Sequence, residues 1–183
     1  MAAGDDTTIS FGICFSRDAI YAASIRKEGC GIVNNDFETA FDFLCLEWVR
    51  KVLEKKGLAA KALDRFMNLY RDGVTIPMIN NIPGRRLINK RLSLRQGDRT
   101  SGYWFCYGID PLLAYLNKRL QGILIHTLPV AGPAQHGHPC PLPPIEQRYK
   151  VQGYLDDCKP AITSMAEFEL VDRACRLFEM ASG

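Results

Sequence analysis

The segment that most restricts the fold is VQGYLDDCKPAITS, residues 151–164. β-Forming residues lie on both sides of two adjacent acids, Asp156 and Asp157, so the pattern predicts a β-hairpin with the acids between its strands. Aspartate is depleted in strands, and adjacent carboxylates repel each other. The pair is therefore either a solvated turn, where aspartate is common, or part of a site that holds a positive partner.

Helical and extended patterns alternate along the rest of the chain. Helical periodicity recurs over residues 18–27, 45–56, 60–72, 103–121 and 165–181. The first three of these helices are predicted to end at Gly29, Gly57 and Gly73. Pro111 is expected to kink or divide the fourth helix. A short strand at 31–36 and a hairpin over 74–94, turning at 81–84, complete a pattern that predicts an α+β fold and not a doubly wound parallel sheet.

A stretch with six prolines occupies residues 127–147. Its composition predicts a surface loop or insertion with polyproline II character. His136 and His138 lie within this stretch, and His126 precedes it. Two imidazoles without a third ligand or a fixed element make a poor metal site, so a solvated loop is favoured.

The composition is that of a soluble globular protein, with 47% apolar and 23% charged residues among 183. No apolar run approaches the ~20 residues that span a bilayer, and the N-terminus lacks the features of a secretory signal, so we expect an intracellular protein with no membrane partner. The seven cysteines occur singly, which argues against a zinc site or a disulfide framework. The net charge of +3 does not identify a nucleic-acid binder. Six basic residues nevertheless fall within fifteen positions: Arg85, Arg86, Lys90, Arg91, Arg95 and Arg99.

A second acidic cluster, NNDFETAFDF, occupies residues 34–43. Asp36 ends the predicted strand, and taken alone its commoner role, or that of Asp42, is to cap the following helix. If this strand pairs with the acidic hairpin, three carboxylates meet with no basic partner nearby in sequence. Such a cluster is costly unless hard divalent cations neutralise it. Two Mg²⁺ ions about 3.5–4 Å apart stabilise the attacking and leaving oxygens of an in-line phosphoryl displacement.

Three segments occur in a fixed order: DFETAFD at 36–42, RLSLRQGDRTS at 91–101 and GYLDD at 153–157. In this order and at these intervals they resemble motifs A, B and C of reverse transcriptase palm domains. The closest resemblance is to the enzymes of non-LTR (LINE-type) retrotransposons. It runs from about Ile13 to Gly183, which is nearly the whole chain.

The resemblance implies an RNA-directed DNA polymerase of a transposable element. Such a nucleotidyltransferase transfers a deoxynucleotide from a dNTP to the 3′-hydroxyl of a DNA primer on an RNA template, in the cytoplasm and nucleus. It also implies a palm-like antiparallel sheet with the acidic hairpin at its centre, packed against helices. Residues 1–183 would then be a single partial domain, the palm with a remnant of the fingers, in which 127–147 is a loop or insertion.

Motifs A and C imply the catalytic and metal-binding residues. Asp36, Asp156 and Asp157 match the ligands of two Mg²⁺ ions, for which Mn²⁺ is a possible substitute, and the carbonyl of Phe37 matches a backbone ligand. Phe41 matches the steric gate that excludes a ribose 2′-hydroxyl, although ordinary core packing is the alternative for this aromatic side chain.

Motif B and the end of motif C imply the substrate contacts. Gln96 and Gly97 match the pair that lies along the incoming nucleotide, with a polar glycine-containing loop as the alternative. Arg95 is expected either to reach a phosphate or to be solvated, and Tyr154 to pack beside the primer terminus. Thr100 stands where motif B usually has proline, which is expected to alter how this loop presents the serine that follows.

Two other functions remain open. The basic fingers motifs are not found upstream of Asp36, and a thumb would lie beyond Gly183. A catalytically incompetent retroelement relic that at most binds nucleic acid weakly is therefore the main alternative. A nucleotidyl cyclase would use the same two-metal chemistry, but its glycine-rich acidic signature is not found in the chain.

Overall fold

The computed structural model describes residues 9–37, 40–70, 74–85, 88–89, 93–94, 98–126, 146–154 and 157–183. In chain order the elements are α1 (Ile9–Arg26), β1 (Gly31–Ile32), β2 (Asn35–Asp36), α2 (Ala40–Phe43), α3 (Leu46–Lys55), α4 (Ala60–Tyr70), β3 (Val74–Thr75), β4 (Met78–Ile79), β5 (Ile82–Pro83), β6 (Ile88–Asn89), α5 (Ser101–Arg119), β7 (Ile123–His126), β8 (Glu146–Tyr149), β9 (Val151–Tyr154), β10 (Asp157–Ile162) and α6 (Met165–Ser182). This mixture of helices and small antiparallel sheets is the α+β class that the sequence predicts. None of the helices in the described ranges is long and apolar enough to cross a membrane.

The chain divides into two compact units. Residues 37–112 and 175–183 form the first, here called the helical unit, and residues 9–36 and 113–174 form the second, here called the sheet unit. The boundary falls directly after β2, so the strand that carries the first acidic residue belongs to the sheet unit.

Strand β10 organises the sheet unit. It pairs with β9 on one edge and with both β1 and β2 on the other, always antiparallel. The two short strands share one register, which places Val33 opposite Pro160. The Val33 amide donates to the Pro160 carbonyl (3.0 Å), but proline has no N–H to return. The predicted strand at 31–36 is therefore present as two short strands, β1 and β2. They are separated where Pro160 cannot donate a hydrogen bond to Val33.

Helix α1 packs in the sheet unit through small side chains. Its buried alanines join a core made of Ala19, Ala23, Ile123, Ile125, Tyr149 and Ala161. The hydroxyl of Tyr149 donates to the Lys159 carbonyl and lies 3.1 Å from Ser16 Oγ. Burial raises the pKa of Tyr149, so the hydroxyl keeps its proton and this contact between β8 and β10 persists across the physiological range.

The end of α1 differs from the prediction. The helix begins at Ile9 and ends at Arg26, and Lys27 rather than Gly29 adopts the left-handed conformation (φ 56°). The amide of Lys27 donates to the Ser24 carbonyl and that of Glu28 to the Ala23 carbonyl, which is the Schellman pattern. These two bonds offset the cost of a left-handed lysine. By contrast, after α3 the left-handed residue is the predicted Gly57, whose φ is 85°.

Helix α5 is a single element from Ser101 to Arg119, so Pro111 does not divide it. Buried side chains lie on both sides of the proline: Ile109, Leu112, Leu116 and Leu120. Their burial offsets the one hydrogen bond that proline removes.

The hairpin after α4 turns earlier than predicted. Strands β4 and β5 pair Ile79 with Ile82, so Asn80 and Asn81 form the turn instead of residues 81–84. Both asparagines have positive φ, 51° and 63°. A two-residue loop with this geometry matches the twist of its strands, and asparagine tolerates it better than most side chains do.

Candidate active site

Two carboxylates face each other across the central ladder of the sheet unit. Asp36 ends β2, Asp157 begins β10, and the two residues are register partners. Because Val33 and Pro160 form a hydrogen-bonded pair, the alternation of an antiparallel ladder makes Asp36 and Asp157 a non-hydrogen-bonded pair. Such pairs bring the Cα atoms to about 4.5 Å and place both side chains on one face.

This arrangement has an energetic cost. Like charges directly opposite each other destabilise a sheet, by a fraction of a kcal/mol up to about 1 kcal/mol per pair. Asp36 is exposed, and the side chain of Asp157 keeps 41% of its accessible surface. Both carboxylates therefore remain open to an ion or a substrate from solution.

Asp157 is a strand residue and not a turn residue as the hairpin pattern suggested. It pairs with Tyr154 on β9, so β10 already begins at the second acid. Only residues 155 and 156 separate these partners, and Asp156, the third predicted ligand, lies outside the described residues. The backbone of Tyr154 thus lies in the same row across the sheet as the two described acids.

The prediction that no basic residue lies near the acids is wrong at Lys159. This residue stands two positions after Asp157 on β10, hence on the same face, and its Nζ lies 3.8 Å from Asp157 Oδ2. Both side chains keep at least a third of their surface, so the ion pair is worth at most about 1 kcal/mol. The period-two alternation of a strand was the signal in the sequence for this neighbour.

The described carboxylates fit a site for Mg²⁺. This ion prefers oxygen ligands, commonly takes one or two carboxylates from the protein and keeps several waters. Asp36 and Asp157 offer such oxygens side by side on strands, which hold ligands more firmly than loops do. Within the described ranges no three His, Cys, Asp or Glu side chains gather closely enough to hold a metal, but Asp156 is not part of those ranges.

Phe37 directly follows β2 and is anchored in the helical unit. Its ring packs edge-on against Phe178 at 5.7 Å between centroids, and Phe178 also contacts Trp48 at 6.1 Å. The indole Nε1 of Trp48 in turn donates to the carbonyl of Gly108 on α5 (2.9 Å). This packing holds the side chain of Phe37, and the role of its carbonyl as a ligand stays a prediction.

Phe41 lies on the short helix α2 and is half-buried. Its ring packs against the buried Phe105 of α5, with 5.1 Å between centroids. The contact with Phe105 supports core packing, which was the alternative role for Phe41. The steric-gate role stays a prediction.

The centre of motif B lies outside the described residues, which resume at Asp98. One carboxylate oxygen of Asp98 accepts from the N–H (2.9 Å) and the hydroxyl (3.0 Å) of Thr100, immediately before α5 begins. Proline at position 100 has no N–H for this bond. Thr100, which replaces the usual proline of motif B, therefore supplies both hydrogen bonds of this turn, and proline could supply neither.

Tyr70 holds the same segment from the end of α4. Its side chain is 1% exposed, and its hydroxyl donates to the other Asp98 oxygen at 3.1 Å. The hydroxyl also lies 3.4 Å from Oγ of the buried Ser101. This long-range contact was missed in the sequence, where Tyr70 is only the last aromatic on an apolar helical face.

Glu167 fixes the other end of β10. It accepts hydrogen bonds from the Gln121 amide (2.6 Å) and from the amide (2.6 Å) and hydroxyl (2.8 Å) of Thr163. Burial alone would raise the pKa of Glu167, but these bonds and the charge of Lys150 outweigh it and hold the pKa below its ordinary value. Ser164 accepts from the Glu167 amide, so S-x-x-E is a capping-box signal that was readable in the sequence.

The structure thus describes Asp36, Phe37, Phe41, Asp157 and the backbone of Tyr154 among the predicted site residues. The remaining ones lie outside the described residues: Arg95, Gln96, Gly97 and Asp156. His126 ends β7, and the predicted loop at 127–147 is wrong at its last two residues, which begin β8. The two other histidines and the prolines of this stretch lie outside the described residues. No protein-family model matches the chain, and no curated protein matches it.

Proposed function

We propose that the chain is the palm of an RNA-directed DNA polymerase of the non-LTR retrotransposon type. The observation that carries this proposal is the pairing of β2 with β10, which sets Asp36 opposite Asp157. The two residues are 121 positions apart and come from the segments that resemble motifs A and C. A chance match of two short acidic motifs would not require their carboxylates to be register partners.

The proposed palm is the antiparallel sheet around β10. This strand has neighbours on both edges, β9 on one and β1 and β2 on the other, so Asp157 lies on the inner strand of the hairpin. Helix α5 approaches β9 closely, because a Cβ placed on Gly153 would lie 2.6 Å from Leu113 Cδ1. The glycine of GYLDD therefore lies where a larger side chain would displace Leu113, which fits close packing of α5 on β9.

The proposed reaction is transfer of a deoxynucleotide from a dNTP to a primer 3′-hydroxyl. Two divalent cations, when bound, would stabilise the attacking and leaving oxygens of the in-line displacement. Asp36 and Asp157 would hold these ions through carboxylate oxygens on one face of the sheet, and Asp156 is the third proposed ligand. The close spacing of the acids, costly in the free protein, becomes favourable once positive charge lies between them.

The remaining motif residues would position the substrates. Gln96 and Gly97 would lie along the nucleotide, Arg95 would contact a phosphate, and Phe41 would exclude a 2′-hydroxyl from one side of the sugar. The turn at Asp98 anchors the chain directly after these residues.

One observation favours the alternative of an inactive relic. The Lys159 ammonium already pairs with Asp157 and partly neutralises the carboxylate that a cation would use. If this pair dominates, the chain binds metal poorly and retains only nucleic-acid affinity.

The test is primer extension by the 183-residue chain on an RNA template with a DNA primer, dNTPs and MgCl₂. We expect extension that Asp36→Asn and Asp157→Asn each abolish. Asp64→Asn, at an exposed acid of α4 in the helical unit, is the matched control and should extend like the wild type. Extension that survives both site substitutions refutes the proposal.

A chain that does not extend primers is tested by nucleotide binding. Under the proposal it binds a fluorescent dNTP only with Mg²⁺ present, and both site substitutions remove that binding. The absence of any Mg²⁺-dependent nucleotide binding assigns the chain to the inactive alternative.

A further inference from the structure

A short apolar ribbon in the helical unit is unaccounted for by the proposed chemistry. Strands β4 and β5 form a two-stranded ribbon that ends in the Asn80–Asn81 turn. We define the ribbon tip as Met78, Ile79 and Ile82, which are 63%, 75% and 70% exposed. Since neighbouring residues of a strand point to opposite faces, both faces of the tip are exposed.

The ribbon is locally held in shape. The Gly84 amide donates to the Pro77 carbonyl (2.7 Å) just below the tip, and the two-residue turn fixes the register above it. Exposed apolar side chains on a defined element commonly mark an interaction site. The question is which partner would cover this one.

The charge of the sequence around the ribbon favours a negatively charged partner. Between positions 73 and 97 the chain has no acidic residue, whereas it has five basic ones: Arg85, Arg86, Lys90, Arg91 and Arg95. Arg85 directly follows the ribbon and is exposed. Two copies of a segment with this net positive charge would repel each other, so a second copy of the chain is disfavoured, whereas the phosphates of a nucleic acid carry the opposite charge.

The types of side chain in and around the ribbon favour a double-stranded over a single-stranded nucleic acid. Single strands are bound mainly by stacking their bases on aromatic rings, and no aromatic residue lies between Tyr70 and Tyr103. Isoleucine, methionine and proline are instead the side chains that wedge between base steps in the minor groove of duplex DNA. The tip presents isoleucine and methionine, and the exposed Arg85 follows the ribbon.

We infer that this ribbon docks on double-stranded DNA, with the tip in the minor groove and the exposed Arg85 on a phosphate. The inference does not depend on metal binding or polymerase activity, and it adds a DNA-binding surface separate from the acidic pair.

The test measures binding of a fluorescein-labelled 20-base-pair DNA duplex to the full chain by anisotropy, from about 50 to 200 mM salt. Ile79→Thr with Ile82→Thr keeps β-branched residues in the strands but removes most of the apolar tip. We expect this double variant to bind about tenfold more weakly with an unchanged salt slope. Arg85→Gln should lower the salt slope by about 1, since each phosphate contact contributes about 0.9.

Two controls separate the tip from general surface effects. Met180→Gln changes an exposed apolar residue of α6, and Arg65→Gln an exposed arginine of α4. Both should bind like the wild type. Equal loss in all variants, tighter or equal binding of the matched single strand, or wild-type affinity in both ribbon variants would overturn the inference. So would a dimer in light scattering that the tip substitutions dissociate without changing DNA binding.

Discussion

Substitution of Glu167 by glutamine tests how β10 is held at the end away from the acids. The carboxylate uses one oxygen for the Gln121 amide and the other for the amide and hydroxyl of Thr163. Glutamine keeps one carbonyl oxygen but turns an NH₂ group toward the second set of donors. At least one backbone N–H therefore loses its acceptor, and every remaining bond loses its charge.

The magnitude follows from those bonds. A hydrogen bond to a charged group contributes about 1.5–3 kcal/mol, and a capping interaction about 1 kcal/mol. Because one carbonyl acceptor survives and part of the site is open to water, we expect Glu167→Gln to lower the unfolding free energy by about 2 kcal/mol at pH 7. For a chain of this size that is a fall in Tm of roughly 4–8 °C.

The loss should depend on pH. The folded-state pKa of Glu167 lies below the ordinary value of 4.5, so its ionised form contributes stability above that value. This contribution declines as the pH falls from about 4.5 through the lower folded-state pKa. The difference between wild type and variant should therefore narrow over this acid range.

Urea unfolding followed by circular dichroism at pH 7 and at pH 3.5 measures both quantities. Glu169→Gln, at an exposed position one half-turn away on α6, is the control and should change stability by less than about 0.5 kcal/mol. A difference of the same size at both pH values, or a loss at pH 7 no larger than that of the control, would refute the assigned hydrogen bonds.

Three further substitutions test packing, the motif B turn and the acidic pair. Thr100→Pro removes the N–H bonded to Asp98 and should cost about 1 kcal/mol in urea unfolding; a more stable variant would contradict the assigned turn. Gly108→Ala would place a Cβ 2.5 Å from Leu44 Cδ2, so we expect a loss of about 1–3 kcal/mol despite the better helix propensity of alanine, and no loss would disprove the close approach. Lys159→Met removes the competing ammonium and should tighten Mn²⁺ binding up to about fivefold in a titration; weaker binding would mean that the lysine supports the site.

Much of the local structure was readable from spacing. The apolar face of α3 and its stop at Gly57 follow from helical periodicity and from the freedom of glycine at positive φ. At the end of α1 the same rule chose Gly29, yet Lys27 holds that conformation because two backbone bonds close there. Composition alone does not reveal which residue those bonds select.

The candidate site likewise has features that the sequence predicts and features that it does not. The short strand predicted at 31–36 and the predicted hairpin both carry acids, and the ladder brings Asp36 opposite Asp157. The contact of Tyr70 with Asp98 joins residues 28 positions apart, and no periodic pattern encodes it. The proximity of Lys159 to Asp157 could have been predicted from the sequence, because residues two apart on a strand share a face.

The central claim is that Asp36 and Asp157 belong to one divalent cation site. The most direct measurement is titration of the 183-residue chain with Mn²⁺, with the free ion followed by electron paramagnetic resonance at constant ionic strength. We predict binding that Asp36→Asn and Asp157→Asn each weaken at least about tenfold, while Asp64→Asn leaves it unchanged. Equal Mn²⁺ affinity in the wild type and in both site variants would contradict the account.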